Sequence, residues 1–135
     1  MEAALAIAIR RRETFLERTD EPPLDLDMRL LSTRIAGEFA DLTVMALDLA
    51  QPARWEIGQR LLDAGASGAV FRRAECPDAQ FLALFDPALL ERSVQQTHYR
   101  FVWDGTVIKS VYDFGSGKEI KREDLLPADS GRQAA

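Results

Sequence analysis

The sequence predicts an α+β fold in which a mostly antiparallel sheet packs against helices. Residues 2–18 are rich in Ala and Leu and contain neither glycine nor proline, which predicts a helix. Residues 24–30 alternate strictly between apolar and polar, which predicts a strand with one buried face. Asp104 and Gly105 lie between two β-rich runs and predict a tight hairpin. Helices and strands follow no regular βαβ order, so a parallel α/β sheet is not expected.

Two predicted helices and one strand occupy the first half of the chain. Pro22 ends the first helix, because a proline disfavours helical backbone in the residue before it. Pro52 and Gly65 bracket the second helix, since proline favours the first helical turn and glycine the C-terminal stop. The predicted helices are residues 2–18 and 53–64, and the predicted strand is residues 24–30. Two segments are ambiguous: a turn is favoured over 35–42, and helix or loop over 44–49.

The second half is predicted to consist of short strands. They are residues 68–72, 81–85, 98–103 and 106–112. Residues 73–80 are polar and predict a loop. From Gly115 onward the chain is rich in Gly, Ser, Lys, Glu and Ala. The organisation expected is therefore one domain over residues 1–112, followed by a flexible C-terminal tail over residues 113–135.

Length and composition exclude several classes of protein. The chain has 135 residues with 47% hydrophobic and 29% charged residues, as expected for one globular domain. Its net charge of −5 argues against direct nucleic-acid binding. Cys76 and His98 are the only cysteine and histidine, so an internal disulfide, a thiolate zinc cluster and a multi-histidine metal site are excluded. The longest apolar run, residues 3–9, is far short of the roughly 20 residues of a membrane span, so a cytoplasmic protein is expected.

Spacing alone yields one candidate binding feature. Arg72 and Arg73 follow a predicted buried strand, where strand ends of α+β folds border clefts, and can contact an anion there. Asp25 and Asp27 share one strand face and could hold a cation, but a solvated strand face explains them as well. His98 fits a structural role on a strand better than a catalytic one.

Other polar groups carry weaker signals. The consecutive Arg10, Arg11 and Arg12 splay around a helix, which disfavours one joint anion site. Cys76 precedes a proline in a polar segment, where an unexceptional thiol is expected. Both tryptophans are expected in a core rather than at a ligand.

Four segments occur in the order and spacing of a known family. They are RTDEPP with LDMR (residues 18–29), GASGAVF (65–71), LFDP (84–87) and HYRFVWDG (98–105). Together they resemble the RES-domain family over residues 2–112. The resemblance implies a fold related to ADP-ribosyltransferases and an NAD glycohydrolase or phosphorylase that acts as the toxin of an Xre–RES toxin–antitoxin pair.

The resemblance also implies three functional residues, an Arg, a Glu and a Ser, that this chain lacks. The Arg segment would precede Met1, so we expect missing upstream sequence and an incomplete fold. The Glu position falls on Ile7 and the Ser position on Arg73. Cleavage of the nicotinamide bond passes through a transition state in which the ribose resembles an oxocarbenium ion. A carboxylate stabilises this positive charge, and Ile7 cannot. Glu2 is the remaining weak candidate for a catalytic carboxylate.

Three functions therefore stay open. The first is a catalytically impaired RES protein that retains a nucleotide or antitoxin site, with Arg72 and Arg73 as candidate NAD contacts. The second is an active enzyme in which Glu2 substitutes after a register shift and another chain completes the cleft. The third is a non-enzymatic interaction module or decoy that binds an Xre-type antitoxin. NAD is expected as a substrate or ligand rather than a tightly bound cofactor, and a homo-oligomer is a further expected assembly.

Overall fold

The computed structural model describes residues 1–126 and confirms the α+β fold class. Within this range the helices are α1 (Glu2–Leu16), α2 (Gln51–Asp63) and α3 (Arg122–Leu125). The strands are β1 (Leu24–Ser32), β2 (Ala40–Asp41), β3 (Gly68–Arg73), β4 (Cys76–Leu84), β5 (Val94–Trp103), β6 (Ile108–Asp113) and β7 (Lys118–Lys121). Pairing is antiparallel except between β2 and β3.

The chain divides into two compact units. Unit 1 comprises Met1–Ser32 together with the chain from Val94 onward, and unit 2 comprises Thr33–Ser93. Unit 1 contains a four-stranded sheet in the order β1-β5-β6-β7, and unit 2 a three-stranded sheet in the order β2-β3-β4. Each unit therefore has a sheet of its own.

The core of unit 1 lies between α1 and one face of its sheet. The buried residues of α1 recur every three or four positions and form one face, as expected for an amphipathic helix. The Tyr99 hydroxyl on β5 donates a hydrogen bond to the Met1 sulfur at 2.7 Å, which ties the start of the helix to the sheet. The buried apolar side chains of α1 and the sheet are Leu5, Ala6, Ile9, Leu16, Tyr99, Phe101, Trp103, Ile108 and Val111. No helix within residues 1–126 is long and apolar enough to cross a membrane.

The predicted Asp-Gly hairpin is present between β5 and β6. Gly105 has a φ of +100°, a left-handed conformation that glycine adopts without steric cost. The Asp104 carboxylate accepts hydrogen bonds from the backbone N–H groups of Thr106 at 2.8 Å and Val107 at 2.9 Å. These bonds, the one from Val107 foremost, lower the pKa of Asp104 below its usual value. The turn is therefore stabilised by the ionised form of this side chain.

We expect Asp104→Ala to lower the melting temperature, and the difference from the unaltered chain to shrink in acid. The pKa of Asp104 is lower in the folded than in the unfolded chain, so its contribution is present above the unfolded pKa. It is lost as the pH falls through the lowered folded value. Melting followed by circular dichroism from neutral to acid pH measures this effect. Asp104→Asn keeps an acceptor oxygen without the charge; acid sensitivity undiminished in this control would contradict the assignment.

The segment after residue 112 differs from the predicted flexible tail. β7 pairs antiparallel with β6, with Val111 opposite Ile120. Leu125 and Leu126 are buried, with 8% and 9% of their surface exposed. Two adjacent leucines are too short an apolar run to predict ordered structure. Leu125 and Leu126 are buried because α3 contacts elements far away in the sequence, such as α1. Residues 127–135 of the predicted tail lie outside the described residues.

Unit 2 contains a longer β4 than the sequence predicted. Residues 76–80 were expected in a polar loop, but the strand starts at Cys76, directly after the turn that follows Arg73. β4 is at the edge of its sheet, and an edge strand tolerates a proline such as Pro77 because one side needs no ladder bond. Gly68 begins β3 next to β4: an added Cβ would lie 2.5 Å from the Ala83 carbonyl oxygen, so the strands can approach only with glycine here.

Candidate functional site

A largely apolar cavity of about 260 Å³ lies in unit 2 between α2, the loop before it and the β3–β4 pair. None of the side chains of α2 is buried, so the helix covers the sheet loosely and leaves this space. The apolar lining consists of Leu42, Met45, Ala46, Leu49, Trp55, Ile57, Leu61, Ala69, Phe71, Ala83 and Phe85. Such a concave apolar site with few polar groups is typical of small-molecule binding.

Two arginines supply the positive charge at this cavity. Arg54 on α2 and Arg72 on β3 are both exposed and both belong to its lining. One Arg72 nitrogen, Nη1, donates to the Pro77 carbonyl oxygen at 3.2 Å, which orients the guanidinium and leaves other N–H groups for a ligand. An anionic group is therefore the complement of this cavity.

An acidic side chain lies close to the same strand end. Asp41 accepts hydrogen bonds from the Thr43 hydroxyl at 2.6 Å and from the Thr43 backbone N–H at 2.9 Å. These bonds, and to a lesser extent the charge of Arg72, lower the pKa of Asp41. Asp41 is therefore ionised at neutral pH.

Arg73 is placed differently from Arg72. Its guanidinium forms a two-point ion pair with Glu75, with Nη2–Oε1 at 2.9 Å and Nε–Oε2 at 3.2 Å. It also lies over the Phe81 ring, 5.6 Å from the ring centroid. Arg73 does not belong to the lining of the cavity. Of the two predicted anion contacts, Arg72 is the one positioned for a ligand there.

A sequence model of the RES domain matches residues 1–104. The chain belongs to the RES domain family. An uncharacterized protein, y4oC of Sinorhizobium fredii (strain NBRC 101917 / NGR234), is 41% identical over 129 residues, which cover 95% of this chain and 56% of that protein. The chain thus spans little more than half the length of this relative. No solved structure matches it significantly.

Ile7 and Arg73, the residues that the resemblance aligns with the family's Glu and Ser, belong to different units of this RES domain. Ile7 is half-buried on α1 in unit 1, and Arg73 is half-buried on β3 in unit 2. Glu2, the alternative carboxylate, is exposed in the first turn of α1. Ile7 offers no polar atom to a reacting ribose.

The remaining polar candidates lie on the surface of the RES domain. Asp25 and Asp27 occupy the exposed face of β1, as predicted, and Asp27 pairs with Arg100 at 2.9 Å. His98 is exposed on β5 opposite Arg29. Cys76 is half-buried at the start of β4. Among residues 1–126, no group of three or more potential metal ligands comes together.

Sequence reasoning missed one buried charged group, Glu13. It lies on the apolar face of α1, four residues after Ile9 and three before Leu16, and is only 7% exposed. Its Oε1 accepts a hydrogen bond from the Ile108 N–H at 3.1 Å and forms an ion pair with Arg122. Its position within an apolar helix face was a usable signal, because a carboxylate there requires a buried partner.

Proposed function

We propose that this RES-domain protein binds NAD or a related nucleotide with little or no cleavage of its nicotinamide bond. The family resemblance implies NAD as the ligand class. The observation that carries the proposal is the apolar cavity with Arg72 at its lining. The resemblance adds that the family's Glu and Ser positions fall on Ile7 and Arg73, which supply neither group.

The size and charge of the cavity suit one end of a dinucleotide. Its volume of about 260 Å³ is below the ~300–1,000 Å³ typical of sites that enclose a whole ligand. A base or a nucleoside end can enter the apolar space beside Phe71 and Trp55. The exposed guanidiniums of Arg54 and Arg72 can then pair with the pyrophosphate outside it.

The chemistry explains why binding can persist without turnover. Departure of nicotinamide leaves positive charge on the ribose, and a carboxylate placed beside it lowers the barrier. Ile7 supplies no such charge. Arg73 does not line the cavity and is held by Glu75 and Phe81, so it supplies neither the family's Ser nor a contact to the bound nucleotide. The expected result is affinity for the anion without transition-state stabilisation.

Two measurements on the full 135-residue chain test the proposal. We expect NAD to shift a localised set of amide resonances around β3 and α2, and Arg72→Ala to abolish the shifts. Arg92→Ala removes an exposed positive charge of the same unit that does not line the cavity, and should leave them unchanged. No nicotinamide above that of a heat-denatured sample is expected by chromatography.

Either measurement can contradict the proposal. Nicotinamide release that scales with protein and falls in Glu2→Gln would establish the active enzyme in which Glu2 supplies the carboxylate. A dispersed spectrum that does not respond to NAD would favour the second candidate, a non-enzymatic module that binds an Xre-type antitoxin. The observation favouring that candidate is the exposure of Val44 and Trp55, 90% and 68%, in and beside α2.

A further inference from the structure

The outer edge of β1 has no strand partner among residues 1–126. β1 is the first strand in the order β1-β5-β6-β7 and is hydrogen-bonded to β5 on one side. Its inward side chains Leu24, Leu26 and Met28 are only half-buried, whereas Tyr99 and Phe101 on β5 are 2% and 1% exposed. An edge strand of nine residues with a partly uncovered apolar side is a template for another strand.

The two edges of this sheet are protected to different degrees. β7, at the opposite edge, has four residues and carries Lys118 and Lys121, and short length and lysines both discourage pairing with another chain. β1 contains no proline, glycine or lysine. Its exposed face carries charges of both signs, Asp25, Asp27 and Arg29, so it does not repel a copy of itself.

We infer that β1 pairs antiparallel with β1 of a second copy of this chain, with Met28 on the two-fold axis. All nine residues of the strand then find a partner, and the two sheets join edge to edge. On the exposed face Asp27 of each copy lies opposite Arg29 of the other. On the inward face Leu26 lies opposite Leu30, so the apolar sides also match.

Charge selects this register over its neighbours. Registers that keep the apolar sides together differ by steps of two residues, because side chains alternate between the faces of a strand. Moving the axis by one residue to Asp27 places Asp25 opposite Arg29 but sets the two copies of Asp27 opposite each other. Moving it to Arg29 leaves no opposite-charge pair and sets two arginines opposite each other. Like charges directly opposite destabilise a strand pair, whereas opposite charges stabilise it.

The side chains concerned are available for these contacts. Asp27 binds Arg100 through Oδ1 at 2.9 Å, and 73% of its side chain is exposed, so a second cation can reach the carboxylate. Arg29 donates from Nη1 to Gln95 at 3.1 Å and retains further N–H groups. The backbone ladder provides most of the binding, and the two symmetric Asp27–Arg29 pairs set the register. Two like-charge pairs in their place would oppose the dimer.

Charge reversal and mixing test the inference on the full chain. We expect sedimentation velocity to show a dimer for the unaltered protein and a monomer for Arg29→Asp, because Asp27 of each copy would then face a carboxylate of the other. Asp27→Lys should also be monomeric. An equimolar mixture of these two variants should recover the dimer, since each copy then presents the complement of the other. Recovery also shows that both variants are folded.

A matched variant tests the register. Asp25→Lys makes the same charge change as Asp27→Lys, two residues earlier on the same face of β1. The proposed register places residue 25 opposite Leu31 of the second copy, so this variant should remain a dimer. A monomeric unaltered chain, a dimeric Arg29→Asp variant, or failure of the mixture to recover the dimer would each overturn the inference. Dissociation by Asp25→Lys would overturn the register.

Discussion

Replacing Trp103 by Ala is expected to lower the free energy of unfolding by about 3–5 kcal/mol. Trp103 ends β5, the strand between β1 and β6, and faces Leu24 on one side and Ile108 on the other. Its side chain is 2% exposed, and its indole N–H donates to the Glu21 carbonyl oxygen at 3.3 Å. The substitution therefore opens a cavity in the core of unit 1 and removes the donor that binds the Glu21 carbonyl oxygen.

The other tryptophan provides the control for this experiment. Trp55 on α2 is 68% exposed, and Trp55→Ala should change stability by less than about 0.5 kcal/mol. Trp103→Phe keeps most of the ring volume and separates the hydrogen bond from the packing. Urea unfolding followed by circular dichroism compares all four proteins. An unchanged midpoint for Trp103→Ala would show that its burial does not support the fold.

Arg122→Ala is expected to cost about 3 kcal/mol by isolating the buried carboxylate of Glu13. Arg122 on α3 pairs with Glu13 on α1, and both contact Ile108 on β6: the Ile108 N–H binds Glu13 at 3.1 Å, and its carbonyl accepts from Arg122 at 3.4 Å. The side chain of Glu13 is 9% exposed and that of Arg122 30%, so we expect the lower end of the range for broken buried pairs. The pair therefore links α1, near the start of the chain, to α3 and to β6.

A double-mutant cycle distinguishes this pair from general packing by α3. Glu13→Gln keeps an acceptor for Ile108 and removes the charge, so combining it with Arg122→Ala should cost less than the sum of the two single changes. Lys121→Ala, at the exposed neighbouring position, is the matched control and should leave stability nearly unchanged. Additive effects in the cycle would show that the ion pair does not couple α1 to α3.

Ile7 and Arg73, which the proposed function aligns with the family's Glu and Ser, have different structural surroundings. Ile7 is half-buried on α1, a position at which an apolar side chain is compatible with the packing of unit 1. Arg73 gains an acidic and an aromatic partner within its own unit. Under the proposed function, both positions belong to a retained fold with impaired chemistry.

Elements with strong local signals were predicted well. The glycine- and proline-free first segment forms α1, the alternating run forms β1, and Asp104-Gly105 forms the hairpin. Each of these depends on residues within a few positions of one another. The family motifs are equally local, and the sequence alone was enough to identify the family.

Predictions failed where weak local patterns obtain their stability from distant contacts. β7 and α3 have too few apolar residues to be predicted from the sequence. β7 nevertheless pairs with β6 through backbone hydrogen bonds, with Ile120 opposite Val111. The start of β4 looked like a loop because a proline is allowed at an unpaired sheet edge.

Local sequence patterns thus established the fold class, the main elements and the family of the chain. The tertiary structure was needed to show the partner of Glu13, the different positions of Arg72 and Arg73 relative to the cavity, and the unpaired edge of β1. These features depend on which distant segments come together: Glu13 and Arg122 are 109 residues apart. Periodicity reports which face of an element is apolar, but it contains no information about which element will cover that face.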